Sequence, residues 1–126
     1  CTVTGSYLLL YRAVYNLVEN AIKYNHSGGK VTVKISQKKD LPAAHSKPTD
    51  YALVEVTDTG IGISPEFQEK IFDPFFRVDK SRSRAMGGAG LGLALVNEIA
   101  RQHGGQVKVL ASSEQGSTIA LILPLS

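Results

Sequence analysis

The stretch Tyr51-Ala52-Leu53-Val54-Glu55-Val56-Thr57-Asp58-Thr59-Gly60-Ile61-Gly62 joins an extended run to a turn broken by two glycines. Branched and aromatic side chains suit a pleated, half-buried surface, and glycine permits the positive φ that a tight turn needs. The run therefore predicts a strand over 51–57 and a turn over 58–63. Upstream, residues 30–37 alternate, with Val31, Val33 and Ile35 on one side, so the two runs read as strands of one hairpin. Residues 38–50 between them carry mixed charge and two prolines, Pro42 and Pro48, which predicts a long solvated loop.

Nearer the N-terminus, Ser6 is placed to cap a helix reaching about Tyr24, because Leu10, Ala13, Val14, Leu17, Ala21 and Ile22 recur at helical spacing before Gly28 and Gly29 break the pattern. Downstream, Ser64-Pro65-Glu66 opens a short helix, with Ser64 as cap and Pro65 at its first position. Residues 73–89 read as irregular. A further helix is expected from near Gly90 to Gly104-Gly105, with Leu91, Leu95, Val96 and Ile99 as its apolar stripe. Two final strands, over 107–111 and 118–125, flank a turn at 112–117. Helices and hairpins without a repeating strand-helix-strand unit predict an α+β fold, a two-layer sandwich whose mixed sheet is covered on one face by helices.

At 126 residues, 43% hydrophobic and 20% charged, the chain has the size and balance of one domain, 1–126. No apolar run approaches the length of a membrane span. The single cysteine, Cys1, has no partner for an internal disulfide, so a reducing, cytoplasmic setting is expected. The start at Cys1 rather than methionine suggests a fragment. A net charge of +3 raises nucleic acid as a partner, but the basic residues are scattered and lack an interleaved aromatic surface, so nucleic-acid binding is not expected.

Three polar features fall outside what a core needs. Asn16, Asn20 and Lys23 project from one side of an otherwise apolar helix. An amide oxygen there suits Mg²⁺ and a lysine suits phosphate, although an ordinary exposed helix face gives the same pattern. Asp58, at the mouth of a glycine turn, can accept a hydrogen bond from an amine such as that of adenine, although aspartate beside glycine also simply forms turns. Gly87, Gly88, Gly90 and Gly92 precede a helix, where backbone N–H groups bind phosphate. They match neither the phosphate-loop nor the dinucleotide pattern. Between the glycine regions, Phe72-Asp73-Pro74-Phe75-Phe76-Arg77, Lys80, Arg82 and Arg84 suit either a lid over phosphate or a solvated loop.

The order of these motifs resembles the sensor histidine kinases. Asn16 to Tyr24 is similar to their N box, and Asp58 to Gly62 to their first glycine box. Phe72 to Arg77 resembles the F box, Gly88 to Leu93 the second glycine box, and Gly116-Ser117-Thr118 the final glycine-threonine motif. The resemblance spans residues 6–124. It implies the ATP-binding fold, called Bergerat-type, shared with gyrase, the heat-shock chaperone and the mismatch-repair ATPases. It also implies ATP and Mg²⁺ as cofactors. Asp58 would accept the adenine amine, Tyr24 would lie against the base, and Thr118 would join the adenine network. Asn20 would be the metal ligand, Asn16 and Lys23 would meet the phosphates, and Arg77 the γ-phosphate. Gly88, Gly90 and Gly92 would shape the lid hinge, and Gly60, Gly62, Ile63, Leu91 and Leu93 count among the nucleotide-binding residues on the same basis. Ser6 and Leu9 depart from the family's frequent aspartate and arginine.

Hydrolysing members of the wider superfamily carry a glutamate four residues before the metal-binding asparagine. Asn16 stands there, and an amide is no general base near pH 7. The resemblance thus implies phosphoryl transfer to a histidine, with Arg77 and Asn16 as the catalytic candidates. Glu19 points about 100° away from Asn20 and reads as accessory. His26, His45 and His103 are poor acceptors, with His103 placed to cap a helix C-terminus. The acceptor histidine is expected on a separate dimerisation domain of the same protein, with a response regulator downstream. This chain would be monomeric, in a homodimeric parent anchored in a membrane. A related serine kinase and a non-catalytic nucleotide-binding module are the alternative readings.

Overall fold

The computed structural model describes residues 5–38, 50–74 and 92–124. Its elements are α1 (Tyr7–Lys23), β1 (Val31–Lys38), β2 (Tyr51–Asp58), two 3₁₀ turns (Pro65–Phe67 and Lys70–Phe72), α2 (Gly92–Gln102), β3 (Gln106–Ser113) and β4 (Gly116–Pro124).

Helix α1 begins where the sequence predicts, because the Ser6 hydroxyl accepts from the Leu9 N–H at 3.3 Å. Its buried residues are Ala13, Leu17 and Ala21, one every fourth position, so a narrow stripe with two small side chains meets the sheet. Ile22, expected in that stripe, is 62% exposed. Helix α2 buries Val96, Ile99 and Ala100, whereas Leu95, about 100° of helix rotation from Val96, is exposed. At its end the Gly105 N–H reaches the Ala100 carbonyl at 2.8 Å and the Gly104 N–H the Arg101 carbonyl at 3.1 Å. Gly104 has φ +75, the left-handed residue that this glycine cap requires.

The four strands form one sheet in the order β1-β2-β4-β3. A mixed sheet was the expectation, yet every pairing among the described strands is antiparallel. The cause is topological. Two hairpins, β1-β2 and β3-β4, dock through β2 and β4, and the passage through α2 sets β4 rather than β3 beside β2. One residue, Leu110, has no partner in the β3-β4 register and makes a bulge there. The expected short helix after Ser64 is two separate 3₁₀ turns, and Ser64 makes no side-chain cap bond. The Gln68 side chain instead donates to the Ile63 carbonyl at 3.0 Å.

Alternation along β2 and β4 sends Val54, Val56, Ile119, Leu121 and Leu123 into the core, where they meet Ala13, Leu17, Val96 and Ile99. The helices thus cover one face of the sheet, as expected for the two-layer α+β sandwich. Val33 and Ile35 share that face through their partners Val56 and Val54, but β1 is an edge strand and the described helices leave Ile35 63% exposed.

Helices α1 and α2 run antiparallel. The Ser6 N–H at the head of α1 donates to Nε2 of His103 at the tail of α2, 3.1 Å away. Further along α1, Asn16 Nδ2 donates to the Gly92 carbonyl at the head of α2, at 3.4 Å. The expected capping role of His103 is realised, with Nδ1 2.7 Å from the Ile99 carbonyl. A backbone N–H can only donate and a carbonyl can only accept, so these two contacts fit the tautomer that carries its proton on Nδ1.

Candidate functional site

Strand β2 ends at Asp58 on the helix-covered face, where the residue is only 8% exposed. Burying a carboxylate is costly unless its oxygens are hydrogen-bonded, and here they are. Oδ1 accepts from the Gly60 N–H at 2.8 Å and the Ser117 N–H at 3.3 Å, while Oδ2 accepts from the Ser117 hydroxyl at 3.1 Å. A carboxylate oxygen accepts more than one bond, so Oδ2 retains capacity for a ligand donor.

The turn after Asp58 is held from both sides. The Ile61 N–H donates to the Tyr24 carbonyl at the end of α1, at 3.3 Å. On the other side the Ile63 N–H donates to the Ser112 hydroxyl on β3 at 2.6 Å. Glycine is required at two points of this turn for want of space. A Cβ on Gly60 would strike the Tyr24 carbonyl oxygen, and one on Gly62, which also has φ +76, would strike that of Ser113.

The resemblance implies Thr118 for the adenine network, and in the structure it is Ser117 that bonds to Asp58. Ser117 lies opposite Asp58 in the β2-β4 register, so the two share a face. Thr118 is one residue on and points to the other face, where its hydroxyl lies 2.9 Å from that of Thr57. Ser117 was within the quoted motif. The signal that separates it from Thr118 is the parity of the strand register, which the sequence does not print.

On α1, whose C-cap carbonyl is bonded to this turn, Asn16, Asn20 and Lys23 are partly buried. The Asn20 side chain makes no hydrogen bond to another described residue. Lys23 Nζ lies 3.2 Å from Glu19 Oε1, and that hydrogen bond and charge hold the Glu19 carboxyl below its ordinary value. Tyr24 is the C-cap of α1. Ile63 and Leu93 pack against the core, and Gly92 opens α2. The structure thus brings Asn16, Asn20, Lys23, Tyr24, Asp58, Gly60, Gly62, Ile63, Gly92 and Leu93 onto α1, the turn after β2 and the head of α2. Arg77, Gly88, Gly90 and Leu91 lie outside the described residues, as does His45. Among the described residues no group of three or more His, Cys, Asp or Glu could hold a metal ion. Among them also, no helix is long and apolar enough to cross a membrane.

Comparison with known proteins agrees with this geometry. The sensor-like histidine kinase SenX3 of Mycobacterium tuberculosis is 44% identical over 122 residues, 97% of this chain and 27% of SenX3. The chain thus spans about a quarter of the length of the curated relatives it matches. Among solved structures, a mycobacterial sensor histidine kinase, MprB, superposes with a TM-score of 0.75 at 34% identity, over 97% of this chain and 74% of that one. Full-length ShkA, solved in complex with AMPPNP, gives 0.72 at 28% identity, over 94% of this chain and 22% of that one. The family described as histidine kinase-, DNA gyrase B- and HSP90-like ATPase matches residues 5–126. With its relatives named sensor histidine kinases, and with the carboxylate, glycine turn and asparagine helix assembled at one end of the sandwich, the chain belongs to this ATPase family.

Proposed function

We propose that this chain binds Mg²⁺-ATP and donates the γ-phosphoryl group to a histidine nitrogen on a separate helical domain of its parent protein. The observation that carries the reading is the buried Asp58, held by Ser117 and Gly60 with acceptor capacity left on Oδ2, beside a helix whose Asn16, Asn20 and Lys23 suit a metal-phosphate group. Asp58 accepts the adenine amine, and Tyr24 flanks the base. When bound, Mg²⁺ neutralises charge on the phosphate oxygens. Asn20 offers it a neutral oxygen, and Lys23 adds a mobile positive charge. The Asn16 amide cannot itself serve as a base for water, and it is engaged with the Gly92 carbonyl. Transfer to a positioned protein acceptor therefore fits better than hydrolysis. Arg77 is assigned to the γ-phosphate and the glycines around Gly88 and Gly90 to the lid.

The test is the parent protein, or this chain mixed with its parent's histidine-bearing helical domain, incubated with Mg²⁺ and γ-labelled ATP. Transfer should give an acid-labile, base-stable label that this chain alone does not acquire. In Asn20→Ala the label should disappear and the Mg²⁺ enhancement of ATP binding should shrink, with ADP affinity in chelator less affected. A mutant with full enhancement and normal transfer would remove Asn20 from the metal site. An acid-stable label would point to the serine-kinase reading.

A further inference from the structure

The loop that carries Asp58 is tied to the end of α1 by a closed ring of hydrogen bonds that the proposed chemistry does not use. The Thr59 hydroxyl accepts from the Lys30 N–H at 2.8 Å and donates to Asn25 Oδ1 at 3.0 Å. Asn25 Oδ1 also accepts from the His26 N–H at 2.8 Å, and Asn25 Nδ2 donates to the Lys30 carbonyl at 2.9 Å. That carbonyl takes a second bond from the Thr59 N–H at 3.2 Å. Packing reinforces the ring, since a Cβ on Gly29 would strike both the Asn25 amide and the Thr59 hydroxyl. Beside the ring, one residue before Asn25 and two after Thr59, the Tyr24 carbonyl takes the Ile61 N–H.

We infer that Asn25 and Thr59 are positioning residues for the base pocket: their ring locks the loop from Asp58 to Ile61 onto the end of the helix that bears Asn20 and Lys23. Neither side chain touches the proposed ligand. They act through the backbone of Thr59, Gly60 and Ile61, which sets where the Asp58 carboxylate points. A threonine hydroxyl offers one proton and two lone pairs, and the site uses the proton toward an amide oxygen and a lone pair toward a backbone N–H. An isosteric valine satisfies neither contact, whereas serine satisfies both. The ring also couples the two halves of the site, because base recognition on the loop and phosphate contact on α1 depend on one fixed spacing.

This inference rests on the nucleotide reading of Asp58, and the experiment separates the two. In the parent protein, ADP and GDP affinities are measured for wild type, Thr59→Val, Thr59→Ser, Asn25→Ala and Asp58→Asn. Amide hydrogen exchange at Lys30 and Ile61 is followed relative to core Val56. Guanine presents an oxygen where adenine presents its amine, so the ADP-over-GDP ratio reads the aim of Asp58 and is not moved by a loss of global stability. Thr59→Val and Asn25→Ala should each weaken ADP about fivefold, lower that ratio, and speed exchange at Lys30 and Ile61 but not at Val56. Thr59→Ser should behave as wild type. A Thr59→Val protein with unchanged ratio and exchange, or a Thr59→Ser protein as impaired as valine, would overturn the latch. If exchange responds as expected but Asp58→Asn leaves ADP affinity unchanged, the latch stands as a structural tie, and its role in positioning fails together with the nucleotide reading.

Discussion

At the scale of single residues, Asp58 and Ser117 form a unit. The serine hydroxyl and backbone N–H together occupy part of each carboxylate oxygen, so removing the hydroxyl frees Oδ2 to swing while leaving the fold intact. Ser117→Ala should weaken ADP binding about fivefold with little change in melting temperature, read by calorimetry on the two proteins. Unchanged affinity would show that Asp58 needs no help from β4. Glu19 makes a different prediction. The hydrogen bond from Lys23, followed by the lysine's charge, keeps the Glu19 carboxyl below its ordinary value of 4.5 in the folded chain. Whatever the pair adds to stability is therefore complete above pH 4.5 and fades as the pH falls through the lowered value. Both partners are substantially solvated, so the contribution is small. Glu19→Gln should shift the melting temperature at pH 7 by no more than about 1 °C, flatten the acid limb of a stability-versus-pH curve, and raise ADP affinity about twofold by releasing Lys23. A steeper acid limb in the mutant would contradict the assignment.

At the scale of elements, the antiparallel pair α1 and α2 is pinned at both ends, by Ser6 to His103 and by Asn16 to Gly92. His103 spans two elements with one ring. Nδ1 closes the tail of α2 and Nε2 receives the first free N–H before α1, one of the donors a helix start leaves unsatisfied. Gly5 fits against the ring because it has no Cβ, which would strike the imidazole. His103→Ala should cost about 1 kcal/mol in a denaturation experiment and speed amide exchange at Ser6, since the Ser6 N–H loses its acceptor. If exchange at Ser6 is unaltered, water supplies the acceptor equally well. Element boundaries were legible here where a local cause exists. Ser6 capping and the Gly104-Gly105 stop act within one helical turn, so the pattern of residues announces them. The double 3₁₀ turn after Ser64 was not legible, because Pro65 and the apolar Phe67, Ile71 and Phe72 satisfy a helical pattern as well as two short turns docked on the core.

At the scale of the whole molecule, one core joins both helices to the inner strands, with Leu17, Val96, Ile99 and Leu121 fully buried at its centre. Leu121→Ala should destabilise the chain by about 2–5 kcal/mol through lost burial and the cavity left behind. Saturating ADP should restore part of that loss, about 2.7 kcal/mol at a hundredfold excess over its dissociation constant, which thermal melts with and without ADP would show. Failure of ADP to raise the melting temperature of either protein would count against the binding site as a whole. The helix that carries Asn16, Asn20 and Lys23, the two hairpins, the glycine turn at Asp58 and the family are readable from the amino-acid order alone, because each depends on periodicity, on capping or on the order of motifs along the chain. Three-dimensional packing was needed to reveal that β4 sits beside β2, that Ser117 rather than Thr118 meets Asp58, and that Asn25 and Thr59 close a ring across 34 positions of sequence. Those three facts depend on strand order and register, which long-range packing selects and no local pattern encodes, since a shift of one residue in register turns every side chain of a strand to the opposite face.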